Sequence, residues 1–468
     1  MAWRYHDGEL RFEHGYQRNR KPFDMGTVWL AEGPRYDTPL HSPEQDSDRR
    51  YHRSALYWDH QLTERLALAA SAAYAEVTRE DLLIGFAPPE VPAASPLTGA
   101  AYEITDDYSQ VDGRVQLDYQ APFEGGEQRW IAGADFQRRE IDMARTSYGG
   151  YELDPRAPDF SEISLSALDS VDSSETEKER RRGLYLAHRT ELDGALRWSA
   201  GLRHNSFEID RSRALYAMER QRVAEDDDLS WQGSVELPVS DHSRLALGMT
   251  TAFRPNEGRD RHGDFLPARE SRMLEATWRL RPRSGHQLAL TGYEQEEQHL
   301  PVVDEAHSPD GWVADEEQVY KAVDRVEVTG GEVRYRLQEA AWRLDAHATL
   351  QRSRSYEGEE HQGHHFVGVP RRLAGLSLQH DLGAYAGLPL QLWYSGEYVG
   401  GWYLDEANEY RTEAYTLHHV GATYRWDEES RLELRVRNLT DERYLAAASA
   451  PAIQGERRRI RLGLVRAF

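Results

Sequence analysis

Apolar and polar side chains alternate one for one along most of this chain, and that alternation is its strongest signal. Across residues 431–437, Leu432, Leu434 and Val436 hold one set of positions, and Arg431, Glu433, Arg435 and Arg437 hold the other. Near the start, Leu10, Phe12 and Tyr16 oppose Arg11, Glu13 and Gln17. On a strand each set projects to one side of the sheet, because successive Cβ atoms point to opposite faces. No stretch longer than a turn or two carries helical spacing. The pattern predicts about 18 strands, the first opening near Glu9 and the last near Gly455.

The connections sharpen this picture. Tight ones fall near residues 62–64, 121–127, 192–194, 239–242, 282–285, 338–340, 383–388 and 427–430. Between them lie long ones, near 78–100, 144–175, 212–225, 256–268, 299–318, 356–364, 404–410 and 446–455. In an up-and-down sheet this sequence puts every tight turn at one end and every long loop at the other. Outer-membrane barrels have that asymmetry, with short periplasmic turns and long external loops. The polar sets carry Arg, Glu, Asp, Gln and His, so a soluble barrel built from them would have no core. A wide barrel with a wet lumen needs none, since its apolar band faces lipid. The expected fold class is therefore all-β, a large antiparallel transmembrane β-barrel in the outer membrane. No repeat of fixed period accompanies the strand–turn rhythm, which disfavours a propeller.

Composition changes the picture in a few places. A mean hydropathy of -0.77 and the lack of any long apolar run exclude a spanning helix. Neither bears against a barrel, whose strands average lipid-facing and lumen-facing residues. The chain holds 25 Tyr and 12 Trp against 11 Phe. Such a bias suits rings that are apolar at one end and wet at the other. A soluble aromatic-rich β protein would show the same bias. A net charge of -23 argues against nucleic acid as the main partner. Cysteine is absent, which fits an envelope protein without proving one. The opening residues Met1-Ala2-Trp3-Arg4-Tyr5-His6-Asp7 carry no export signal. The expectation is a barrel domain over residues 1–468, with signal peptide and plug absent.

Several local patterns resemble the TonB-dependent outer-membrane receptors, in particular their ferric-siderophore branch. Asn438-Leu439-Thr440-Asp441-Glu442-Arg443-Tyr444 is similar to the family's Asn-Leu-x-Asp-x-x-Tyr segment one hairpin before the C-terminus. Phe253-Arg254-Pro255-Asn256-Glu257-Gly258, followed by Pro267, Ser271 and Glu275, looks like another family hairpin. Ile460, Leu462, Leu464 and terminal Phe468 resemble a barrel-assembly signal, interrupted by Arg466. The resemblance covers residues 180–468 and, more faintly, the part before. It implies a barrel of roughly 22 strands around an N-terminal plug. It further implies uptake of a ferric siderophore or similar chelate, energised through TonB, with no chemistry performed and no cofactor. TonB would be reached only through the missing plug. A passive porin-like channel without a plug is the alternative.

Ligand contacts are expected on external loops. Trp312 sits in a loop with Pro301, His307 and Pro309, and its ring suits an aromatic or chelate surface. Tyr148 and Tyr151 flank a Gly-Gly pair and read the same way. His361, His364 and His365 follow the carboxylates Glu357, Glu359 and Glu360. Metal ligation by this cluster competes with a plain solvated loop tip, and the siderophore reading requires no protein ligand to iron, so no metal site is expected. The run Glu179-Arg180-Arg181-Arg182 reads as lumen rim or as a contact for lipopolysaccharide or siderophore. No nucleophile elbow, Walker loop, His-Glu-x-x-His or dinucleotide fingerprint occurs, so no enzyme is expected.

Overall fold

The computed structural model describes residues 2–21, 29–30, 32–36, 42, 44–86, 96–161, 163–192, 196–215, 218–256, 258–304, 319–356, 362–447 and 453–466. Trp312, His361 and Phe468 lie outside the described residues. By contacts the chain forms two compact units. The first comprises Met1–Val235, Thr250–Arg272 and Gln298–Val323; the second comprises Glu236–Met249, Met273–Glu297 and Asp324–Phe468.

In the first unit a meander runs through β1 (Ala2–Tyr5), β2 (Gly8–Lys21), β3 (Asp46–Thr63), β4 (Leu66–Phe86), β5 (Leu97–Phe123), β6 (Gly126–Leu153), β7 (Ser170–Leu192) and β8 (Arg197–Leu215). Each strand pairs antiparallel with the next. Then come β9 (Met218–Ser240), β10 (Ser243–Arg254) and β11 (Arg269–Leu280). In the second unit the meander runs through β12 (His286–Gln298), β13 (Val326–Gln338), β14 (Trp342–Ser355), β15 (Arg372–Asp381), β16 (Leu390–Val399), β17 (Tyr415–Arg425), β18 (Ser430–Arg437) and β19 (Arg459–Arg466). These 19 strands belong to one sheet, and three two-stranded ribbons decorate its connections.

Sheet register converts the sequence alternation into two chemically distinct faces. In the first unit Leu68, Leu117, Ala132, Leu186 and Leu202 form one row across neighbouring strands. In the second, Leu337, Leu344, Leu378, Tyr394, Val420, Val436 and Ile460 do the same. These side chains are not a core: Leu186 is 47% exposed, Leu202 52% and Ile460 66%. Rows of large aliphatic groups left open on a folded sheet have a physical reason only if lipid covers them. Near the tight-turn end this face carries paired rings, Trp130 on His188 at 3.9 Å and Trp342 on His380 at 3.8 Å. Rings of that kind sit comfortably at a headgroup boundary.

The strands differ from expectation in number and in length. The sequence pattern missed β1, which is only 4 residues long and too short to show a period. More importantly, β5 and β6 run for 27 and 28 residues, where a spanning strand needs about 9–11. Much of the predicted loop at 144–175 is therefore strand. Pairing continues there because cross-strand charges replace apolar contacts: Arg139 donates to Glu177 at 2.6 Å and forms an ion pair with Glu179 at 2.9 Å, and Arg211 pairs with Glu175 at 3.2 Å. The tight connection at 383–388 is a single helical turn, Gly383–Ala386, closed by Gly387 at φ 63°.

Candidate ligand-binding site

On the polar face of the first unit, Tyr185 lies between two guanidinium groups. Arg114 is 5.5 Å from its ring centre and Arg203 is 5.6 Å. Arg114 Nε also donates to the Tyr185 hydroxyl at 2.8 Å. Arg203 grips Asp135 with both terminal nitrogens, at 2.7 and 2.8 Å. The planar fork of arginine makes this bidentate geometry. A cavity of about 480 Å³ opens against this wall, lined by Arg53, Tyr57, Asp112, Arg114, Asp135 and Arg203 among others. Room for these side chains depends on Gly183, where a Cβ would meet the Arg203 guanidinium and the Asp135 carboxylate.

The predicted tyrosines sit further along the same unit, at the end opposite the tight turns. Tyr151 packs over Gly99 and joins a small apolar cluster of Leu30, Leu97 and Leu153. It therefore holds the strand extensions together. Tyr148 pairs with Ala101 across the β5–β6 register and is half-buried.

The predicted histidines belong to the loop end of the second unit. His364 Nδ1 contacts the Glu406 carbonyl at 3.0 Å. His365 donates its backbone N–H to Asn408 Oδ1 at 2.7 Å, and its ring stacks on Tyr403 at 5.6 Å and 10°. Its Nε2 accepts a bond from Arg371. Burial first, then the charges of Arg371, Arg352 and Arg411, hold the His365 pKa below its usual range. Arg411 lies 5.8 Å from the Tyr403 ring centre on the same loop end. Among the described residues no group of three or more His, Asp or Glu could hold a metal ion.

The segment 438–444 is structural. Asn438 is 2% exposed and has φ 47°, a conformation that Asn adopts more readily than other non-glycine residues. Its Nδ2 donates to the Glu442 carbonyl at 2.8 Å and the Glu456 carbonyl at 3.0 Å, while its Oδ1 accepts from Glu442 N–H at 2.8 Å. Asp441 takes two bonds from Arg457, at 2.6 and 3.0 Å, and one from the Arg458 amide at 2.9 Å. Those partners hold its carboxyl well below the ordinary range, the Arg457 hydrogen bonds contributing most. Leu439 is exposed, and its amide donates to the His418 carbonyl at 2.7 Å. Tyr444 packs on Tyr415 at 4.4 Å. Asn256, in the other motif, ties Pro267 and His299 carbonyls together at 3.1 and 2.8 Å. Sequence inspection singled out none of Arg371, Arg411 and Tyr403.

An antiparallel sheet with an apolar exposed face, a charged opposite face and connections alternating in length defines a protein of the outer membrane. A family model described as TonB dependent receptor-like, beta-barrel matches residues 2–439, and the chain belongs to that family. The Ferrioxamine B receptor of Salmonella typhimurium is 25% identical over 341 residues, covering 69% of this chain. The chain spans 45% of that relative, about half its length. Among solved structures, the siderophore receptor PiuA from Acinetobacter baumannii superimposes with a TM-score of 0.83 at 15% identity, covering 98% of this chain and 72% of its own. BauA, the ferric preacinetobactin receptor of the same organism, gives 0.78 at 15%, covering 99% and 70%. At these identities the solved structures establish the fold.

Proposed function

We propose that residues 1–468 act as the barrel domain of an outer-membrane receptor for ferric siderophores or related chelates. The observation that carries this reading is the family match over residues 2–439. A curated relative named for ferrioxamine B supports the ligand class. In this reading the barrel performs no chemistry. It presents rings and arginines from the loop end, and TonB engages a plug segment, not the barrel strands.

A second partner follows from the faces of β7. Arg181 and Glu179 lie on the polar face, whereas Arg180 and Arg182 follow Leu184 and Leu186 on the apolar face. Arg180 pairs with Glu208 at 3.1 Å, while Arg182 has no carboxylate partner among the described residues. Arginines just past a lipid-facing row support a contact with lipopolysaccharide phosphates.

The test is titration of the purified protein in detergent with a panel of ferric and iron-free chelates, followed by tryptophan fluorescence. At least one ferric chelate is expected to bind with micromolar or better affinity, and its iron-free form more weakly. Failure of every chelate sinks the receptor reading. A large steady bilayer conductance indifferent to all of them would mark a passive channel.

A further inference from the structure

The last three strands of the second unit carry charge of nearly one sign. Together β17, β18 and β19 hold a single acid, Glu433, in a chain with 80 acids and a net charge of -23. Their lipid-side positions are apolar, with Leu432, Leu434 and Val436 opposite Leu464, Leu462 and Ile460. The alternate positions face the bore of a transmembrane barrel. They hold Arg425, Arg431, Arg435, Arg437, Arg459 and Arg461. Register sets these side chains against one another: Arg425 lies directly opposite Arg431, Arg435 opposite Arg461, and Arg437 opposite Arg459. Like charges so placed destabilise a sheet.

Two carboxylates serve all six guanidinium groups. Glu433 pairs with Arg431 at 2.7 Å and Arg435 at 2.8 Å. Glu456, just before β19, lies 2.8 Å from Arg459 and 3.7 Å from Arg437. These four contacts leave Arg425 and Arg461 without an ion pair among the described residues. Elsewhere on the polar face arginine and acid balance, as in Arg203 with Asp135 and Arg334 with Asp345. The strip is also wet, since the Arg435, Arg437 and Arg459 side chains are 54%, 55% and 51% exposed. A Cβ added at Gly463, beside Arg461, would meet nothing within 4 Å, so the wall stands open there. From Arg431 to Arg437 the strip climbs about 20 Å, most of the roughly 25 Å apolar band of such barrels.

We infer that the polar face of β17–β19 is an anion track, and that this barrel passes small inorganic anions such as chloride in preference to cations. The sign of the net charge would give the opposite preference. Acids beyond a Debye length of about 10 Å are screened at 0.1 M salt, whereas an ion moving along this wall meets its guanidinium groups directly. The inference rests on the barrel fold and not on the chelate reading, so either can fail alone.

The test is the reversal potential of the purified protein in planar bilayers under a gradient of KCl, read as the ratio of chloride to potassium permeability. Wild type is expected to give a ratio above about 2 near 0.1 M salt, falling toward unity near 1 M as the Debye length shrinks to about 3 Å. R435Q/R461Q removes one facing pair and should lower the ratio at least about twofold. R435K/R461K keeps both charges and should keep the ratio. R20Q, on the same face of β2 as Phe12 and so away from the bore, should not move it. Heat-modifiable electrophoretic mobility confirms the fold of each variant. A wild-type ratio at or below unity, or no conductance at all, overturns the track. So does an unaltered ratio in the glutamine pair, a lysine pair as low as the glutamine pair, or an equal fall in R20Q. Chelate binding bears on none of these outcomes.

Discussion

Replacing Asn438 by alanine should cost the folded state about 3–4 kcal/mol. The side chain makes three hydrogen bonds inside a site that is 2% exposed. Each is worth roughly 1 kcal/mol net when its partner is left without a replacement, giving about 3. Alanine at φ 47° adds on the order of 1 kcal/mol, because its Cβ crowds the following carbonyl. Two further variants separate the terms. Asn438→Gly relieves the backbone strain and should cost about 1 kcal/mol less than alanine. Asn438→Asp keeps the acceptor for Glu442 N–H but sets a carboxylate oxygen against the carbonyls of Glu442 and Glu456, so it should be at least as damaging as alanine. The assay is urea unfolding in phospholipid vesicles at constant slope, so that midpoint shifts report stability. A loss below about 1 kcal/mol for N438A would refute the claim that this motif is a structural clasp.

Three other outcomes are expected. Asp441, whose carboxyl is depressed by Arg457, contributes stability that is present above the ordinary carboxylate range and lost only as pH falls toward its folded value. Hydrogen exchange at the Arg458 amide should therefore stay protected down to about pH 4, and Asp441→Asn should lower protection already at neutral pH; equal protection in both proteins would contradict this. Leu434→Arg, on the apolar row of β18, should destabilise the membrane-inserted form by about 2–4 kcal/mol, whereas Arg437→Gln on the other face, whose side chain is 55% exposed, should cost less than about 1 kcal/mol; the same urea assay discriminates them. Asp135→Asn should cost no more than about 1 kcal/mol despite the bidentate bond, since the Arg203 and Asp135 side chains are 39% and 31% exposed and water screens them; a larger loss would mean the polar wall is drier than its exposure indicates.

Fold class was legible because, over the lipid-facing stretch of most strands, one face obeys a single rule. The row Leu432, Leu434 and Val436 reads as apolar in sequence and stands open on β18 in the structure, pairing with Tyr424, Ala422 and Val420 of β17. Site residues were less legible. His365 was visible as a histidine in a loop, but its surroundings are completed by Arg371, later in the same connection, and by Tyr403, which reaches it from the connection after β16. Nothing in a linear pattern reports that convergence. Asn438 and Tyr444 were visible through family resemblance, and their geometry shows why the pattern exists: one clasps backbone carbonyls and the other packs on Tyr415.

The misjudged loops have a common physical cause. Alternation is detectable only while one of the two alternating sets is apolar, and that set is apolar only where lipid covers it. Past Phe136 the outward positions of β6 become Arg138, Glu140 and Asp142, so the contrast with Gln137, Arg139 and the rest of the inward set vanishes. The backbone has no reason to stop pairing at that point. Asp142 accepts from Thr176 at 2.7 Å, Asp172 from Thr146 at 2.7 Å, and Lys178 pairs with Glu140 at 3.4 Å, each across the β6–β7 ladder. The end of hydrophobic contrast therefore marks the edge of the membrane, while the end of the strand is set by where cross-strand charge pairs run out. In this chain those two boundaries are far apart on β5 and β6 and close together on β18 and β19, which are 8 residues each.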